Sequence, residues 1–519
     1  MTFLSEYVPQ AGELVEFRVP EEAVEKARRA PVHPVPPSPV QENHLLRYLA
    51  NLRAGRPQSP WVGLAFDLPG RIDTAAMAAA WKKWALRHET VLTWFSAEPD
   101  NPAPDRGTPG GTRDEVAAAG PAAPDGVRTA LIRHKVAAED VDIQPVPRGE
   151  FASPDAVREH LREQFGSGTS PMAWPPFTAG AVLGENSSTV YFAIDHAHSD
   201  AYSVLLVFDE LRTLYRAEVE GTEAVLPEAG SYVEAGALER ERAATLQADS
   251  PGVRSWVEFL LSGPLPSFPL GLGVPAGETR PSLSFELDLL TADEADAFAK
   301  VCRPHGAGFS AGLLAALGVL HRELGGREVY RGLSVVHTRN EPRWLTAQGW
   351  FINLVPVAFP LTGEEDGRPL PLPGLLAAAG AGFRGACKLA RVSPLRVAEL
   401  AGLPLQSDDS AVLPIVSYID GRHAQGSRDW AAANCNGLYD SSPSSEVMMW
   451  VNRCWDRTYL KVTCPDTPEA RVNVPRFLDR LQQVVRWIAR GGDADAALGP
   501  ATEFSVPAGD KIRANTGAN

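Results

Sequence analysis

A chain of 519 residues is too long for one ordinary hydrophobic core, so two domains are the first expectation. Its composition, 44% hydrophobic and 22% charged, is that of a globular protein rather than a disordered or fibrous one. A formal net charge of -15, with no Lys/Arg run to offset it locally, argues against nucleic-acid binding.

The opening stretch, MTFLSEYVPQAGELVEF, has neither the basic start nor the apolar run of a signal peptide, and a cytoplasmic location is expected. Residues 29–40 (RAPVHPVPPSPV) are too rich in proline for helix. A helix is predicted from Ser38-Pro39, with Ser as N-cap and Pro at the first position, carrying His44, Leu45, Tyr48 and Leu49 at helical spacing. Trp61 to Leu68 alternates as a strand, closed by Pro69-Gly70. Asp73 caps the next helix, Thr74 to His88, and residues 97–128 read as a long Pro/Gly/Asp-rich loop. Helix is expected at 154–165, a buried strand at Thr189–Ile194, and an apolar helix at Tyr202–Ala217.

Acidic, Gly- and Pro-bearing text over 217–250 marks a crossover, after which the pattern restarts. Strands are predicted at Leu283–Leu289, Tyr330–His337, Val412–Ile419, Val447–Asn452 and Thr458–Cys464, with an apolar stretch at Trp350–Phe359. Helices are predicted at Ala292–Cys302, Ser310–Leu324 and Pro475–Ile488, followed from 490 by a polar, frayed tail. The expected organisation is an α/β chain with units at 1–225 and 226–495 and a tail at 496–519. No window is apolar for long enough to span a membrane. The five cysteines form no CxxC pair and are read as free thiols.

The buried strand at 189–194 runs into Asp195-His196-Ala197-His198-Ser199-Asp200. Three chemistries fit this stretch. HxHxD is a metal-ligand run, but the next position is Ala201 and the remaining histidines are scattered. HxxxD, His196 with Asp200, suits general-base acyl transfer: a neutral imidazole of pKa ~6.5 can take the proton of an attacking hydroxyl or amine. Two satisfied histidines in a polar loop is the third reading, and spacing alone leaves all three open. Gly308-Phe309-Ser310-Ala311-Gly312 fits the GxSxG nucleophile elbow, but helix rather than strand precedes it, so Ser310 is read as a helix N-cap.

Several stretches, in order along nearly the whole chain, resemble the condensation-domain superfamily. Ser38-Pro39-Val40-Gln41 resembles its SxxQ helix opening, Arg87 to Phe95 (RHETVLTWF) its RHExLRTxF motif, and Pro175-Pro176-Phe177 its pre-core segment. Asp195 to Ala201 resembles HHxxxDG, and Gln348 to Pro356 resembles GxFxNxxP. The last third is similar to the polyketide-associated acyltransferases of actinobacteria, through Val416–Asp420, Met449–Arg453 and Tyr459–Lys461.

The resemblance implies a pseudo-dimer of two chloramphenicol-acetyltransferase-like halves, with the active site in a tunnel between them. It implies an acyl or condensation transferase working on a phosphopantetheine thioester, carried by an acyl or peptidyl carrier protein or by coenzyme A. The acceptor would be a small molecule bearing a hydroxyl or amine, with no metal, no bound cofactor and a monomeric chain. His196 would be the base. Asp200 would be a structural carboxylate paired with an arginine of the other half, best matched by Arg339, and Trp350, Asn353 and Ser203 would line the tunnel. Two positions depart from the pattern: Asp195 replaces the first motif histidine, and Ala201 replaces its glycine, which could need φ > 0. These departures leave a degenerate recruitment scaffold as the alternative to an enzyme. Arg384, Lys388, Arg391 and Arg396 are candidates for a basic docking patch toward an acidic carrier.

Overall fold

A computed structural model describes residues 2–55, 61–99, 129–363, 367–403, 414–440, 442–492 and the backbone of 513–516. Two seven-stranded sheets organise the chain. The first runs, edge to edge, Thr2–Phe3, Asn436–Tyr439, Trp61–Pro69, Ser187–Asp195, Phe177–Leu183, Gly12–Arg18, Gln144–Phe151. The second runs Ile352–Pro360, Val329–His337, Ile415–Asp420, Met448–Arg453, Arg457–Pro465, Ser282–Thr291, Arg513–Thr516.

Ser187–Asp195 lies at the centre of the first sheet, antiparallel to Trp61–Pro69 and Phe177–Leu183. Its side chains alternate between two cores. Val190, Phe192 and Ile194 enter the core built with Trp81, Trp84 and Phe208, while Tyr191 and Ala193 enter one with Trp61 and Phe165. Both faces are covered, which is why the segment reads as a continuous apolar run and not as an alternating one. Helices Thr74–Arg87 and Ala201–Glu220 pack together on one face. In the second half, Ala292–Cys302, Phe309–Gly325, Leu372–Cys387 and Pro468–Ala489 share one large core with their sheet.

The two halves exchange chain. Asn436–Tyr439 leaves the later part of the sequence to pair antiparallel with Trp61–Pro69 in the first sheet. Lys461, buried on the second sheet, pairs with Glu6 near the chain start. The mixed α/β layout with two sheet-based halves is the pseudo-dimer that the resemblance implied.

Four expectations need correction. Ser310 is not an N-cap: the helix begins at Phe309 with Gly308 as its cap, and a helix and a 3-10 turn, not a strand, come before it. The last helix starts at Pro468, capped by Thr467, so Pro475 sits inside it rather than opening it. Helices Tyr232–Thr245, Pro251–Leu261 and Leu372–Cys387 were not foreseen. The tail is not wholly frayed, because Arg513–Thr516 pairs with Ser282–Thr291. Of the loop expected at 97–128, residues 97–99 finish a strand, and 100–128 lie outside the described residues, as does the start of the strand expected from Val412.

Candidate active site

The central strand ends at Asp195, and a single 3-10 turn, His196–His198, joins it to the helix that starts at Ala201. Carboxylates cap the turn and the helix that follows it. Asp195 accepts from the Ala197 N–H at 2.8 Å. Asp200 is the N-cap of the helix and accepts from the Ser203 N–H at 2.6 Å. Ala201 is the first helical residue and needs no positive φ; among the described residues only Asn434 is a non-glycine with φ > 0. The alanine that replaces the motif glycine is therefore accommodated without strain.

Asp200 is also the pin between the halves. Its second oxygen accepts from the Phe351 N–H at 2.9 Å. The Arg339 guanidinium lies 3.3 Å and 3.4 Å from its two carboxylate oxygens, with both side chains almost wholly buried. Arg339 also donates to the carbonyls of Trp344 and Ala347 and to Ser203 Oγ, and packs over the Phe351 ring. Gln348 and Gly349 finish the joint: Gln348 Nε2 donates to the Ser203 carbonyl, and Ser203 Oγ donates to the Gly349 carbonyl. A Cβ at Gly349 would lie 2.3 Å from Tyr232 Cγ, so only glycine allows the loop this close to the Tyr232–Thr245 helix.

His196 stands on this braced turn, partly exposed. Its Nδ1 is buried with no hydrogen-bond partner on another residue, which leaves Nε2 as the nitrogen facing accessible space. The Trp350 ring lies against it, centroids 4.2 Å apart. Burial lowers the imidazole's pKa below the usual 6.5, and the neighbouring His44 lowers it further; Asp200 and Asp195 pull the other way without reversing the shift. The resting ring is neutral near pH ~7.

His198 plays a different part. It is fully buried against Phe95, its Nδ1–H donates to the Thr90 carbonyl at 2.9 Å, and burial pushes its pKa down to about 4. It is a packing residue. No group of three or more His, Cys, Asp or Glu converges as a metal site among the described residues.

Of the residues expected to line a tunnel, Trp350 lies on His196, but Ser203 and Asn353 have their polar atoms engaged by the protein. Ser203 is fully buried in the joint described above. Asn353 Nδ2 donates to the carbonyls of Ala390 and Val392, tying a strand to the loop behind it. The RHE segment is likewise structural: Arg87 and His88 both bind the buried Glu210, and Glu89 binds Lys135. Of the basic candidates, Arg384, Lys388 and Arg391 are exposed, while Arg396 pairs with Glu399 at 2.9 Å.

One residue was missed. His44 Nε2 lies 3.2 Å from Asp195 Oδ1, and its ring stands edge-on to Trp350 at 5.2 Å. The signal was a polar residue beside Leu45 on the helix face that turns inward. Gln41, one turn earlier, donates to the Ala197 carbonyl at 2.6 Å, so this helix grips the His196–His198 turn twice.

Comparison with known proteins places this fold among acyltransferases and condensation domains by similarity. Residues 155–369 match the Condensation domain family model. Acyltransferase PapA3 of Mycobacterium tuberculosis is 29% identical over 499 residues, covering 94% of this chain and 96% of that protein. Trehalose-2-sulfate acyltransferase PapA2 of the same species is 28% identical over 527 residues, 97% of this chain and 99% of that one. The solved structure of the PapA2 acyl transferase superposes with a TM-score of 0.79 over 94% of this chain and 99% of its own. The condensation domain of the Monacolin K polyketide synthase MokA, 16% identical, shares the fold with a TM-score of 0.63 over 90% of this chain and 98% of its own. The chain thus carries a stretch that matches the condensation-domain model and is similar over nearly its whole length to mycobacterial PapA acyltransferases.

Proposed function

We propose that the chain moves an acyl group from a phosphopantetheine thioester, on a carrier protein or coenzyme A, to a hydroxyl of a small polar acceptor. His196 acts as general base. The observation that carries the reading is the braced turn: a neutral imidazole, Nε2 free, held at the seam of two halves by Asp200, Arg339 and Phe351 N–H. A hydroxyl is favoured over an amine because relatives are named for sugar acceptors, among them trehalose-2-sulfate acyltransferase PapA2.

The chemistry balances with one imidazole. Nε2 takes the acceptor proton as the hydroxyl oxygen attacks the thioester carbonyl. The tetrahedral intermediate collapses, the C–S bond breaks, and the imidazolium returns the proton to the departing thiolate, giving an ester and a free thiol. Base assistance of this kind contributes about 10²–10⁴-fold. Holding both substrates against one ring converts a bimolecular encounter into an oriented one, which supplies much of the rest. Trp350 bounds the space in front of His196 and would shape what enters.

Incubation with a panel of acyl carrier-protein and acyl-coenzyme A donors and of sugar and amine acceptors, read by mass spectrometry, tests the reading. Acyl transfer to a hydroxyl acceptor with release of free thiol is expected. Transfer to amines alone, or none with any thioester donor, would overturn it.

A further inference from the structure

His44 has no part in the reaction as described, yet it is joined to the base on two sides. Its Nε2 pairs with Asp195, a carboxylate with no exposed surface, at 3.2 Å and 3.5 Å to the two oxygens. The same carboxylate caps the turn on which His196 stands. The His44 and His196 rings lie 6.5 Å apart and both touch the Trp350 ring. A carboxylate this deep in the protein needs a counter-charge, and the residue facing it is His44. A proton on His44 would oppose a second positive charge on His196, whose ring centroid is 6.5 Å away.

We propose that His44 is a positioning residue for the acyl-transfer base: paired with Asp195, it holds the His196 turn and cancels the field of the carboxylate beside the base. Asp195 stands where the related motif has a histidine, and His44 supplies an imidazole beside it from a different helix. The proposal rests on His196 being the base. The charged groups facing His196 are Asp195 and Asp200, the latter already paired with Arg339, and His44 on the helix packed against the turn. Without His44, Asp195 is left uncompensated next to the base and pulls its protonation to higher pH. The lowered pKa of His196, to which His44 contributes, agrees with that direction.

The test is the pH dependence of kcat/KM for His44→Gln, His44→Lys and His196→Ala beside the wild type. Wild-type activity rises with pH through a midpoint below the ordinary imidazole value of ~6.5. In His44→Gln the midpoint moves upward by at least about half a unit, and in His44→Lys, which restores a cation opposite Asp195, it moves back toward wild type. A merely structural role would lower the plateau in both variants and leave the midpoint in place; that result overturns the proposal. If His44→Gln misfolds, His44→Asn replaces it as the uncharged variant and is read by the same two outcomes: a raised midpoint that His44→Lys brings back supports the proposal, and an unmoved midpoint overturns it. His196→Ala separates the two readings. If it retains near wild-type activity, the base assignment itself fails; if it is inactive while the midpoint of His44→Gln is unmoved, only the role of His44 fails.

Discussion

Arg339→Met probes the joint between the halves most sharply. Methionine keeps most of the apolar stem and removes the guanidinium, which reaches Asp200, Ser203 Oγ and the carbonyls of Trp344 and Ala347. Removing one partner of a buried ion pair costs about 3–5 kcal/mol because the other charge stays buried. Asp200 would keep two main-chain donors, the N–H groups of Ser203 at 2.6 Å and Phe351 at 2.9 Å, which places the loss near the lower end of that range. The assay is urea denaturation of wild type, Arg339→Met, Asp200→Asn and the double variant. The asparagine retains N-cap ability while removing the charge. The double variant should be more stable than the sum of the single losses by about 1–2 kcal/mol, because no unpaired charge remains. Turnover of Arg339→Met should fall about a hundredfold, the effect of a shift of about 1 Å at the base. A loss under about 1 kcal/mol, or additive single effects, would refute the view that this pair pins the site.

Three other outcomes follow from the same contacts. Gly349→Ala drives a methyl into the Tyr232 ring and should cost about 3 kcal/mol, the top of the usual overpacking range, read as a lowered thermal midpoint; an unchanged midpoint contradicts the close approach. His198 has a folded pKa of about 4 against an ordinary 6.5, so as pH falls the unfolded chain takes the proton first. Its contribution is therefore complete above pH ~6.5 and lost toward the folded value, at about 1.4 kcal/mol per pH unit, and His198→Phe should flatten the acid limb of denaturation midpoints by that amount. Charge reversal at Lys388 and Arg391 should raise KM for a carrier-bound donor but not for a small thioester; equal effects on both would remove the case for a docking patch.

Local chemistry made much of the frame legible. Ser38 caps its helix as expected, with Gln41 completing a capping box, and Asp73 caps its helix as expected. The central strand was visible because both its faces are buried and no charged residue interrupts Thr189–Ile194. Spacing made the site legible only where neighbours in sequence are neighbours in space, and the distant Arg339–Asp200 pair was reached through the family resemblance. Asp195, His196 and Asp200 belong to one turn, but the His44 that pairs with Asp195 is 151 positions away, and no periodicity reports such a contact. The Phe351 N–H that meets Asp200 is invisible for another reason: every residue but proline carries an N–H, so sequence cannot say which one is aimed. Pro475 misled because proline is common at a helix start, whereas here the start is fixed seven residues earlier by the Thr467 side chain. The helix Tyr232–Thr245 escaped because polar and small residues dilute its apolar stripe.

The central claim is that one imidazole, His196, does the proton transfer. The most direct test is the turnover of His196→Ala with an active donor–acceptor pair, its fold checked by circular dichroism and thermal midpoint. The account predicts kcat lower by at least about a hundredfold in a folded protein, the contribution of a general base. A folded variant with turnover within about tenfold of wild type would contradict it.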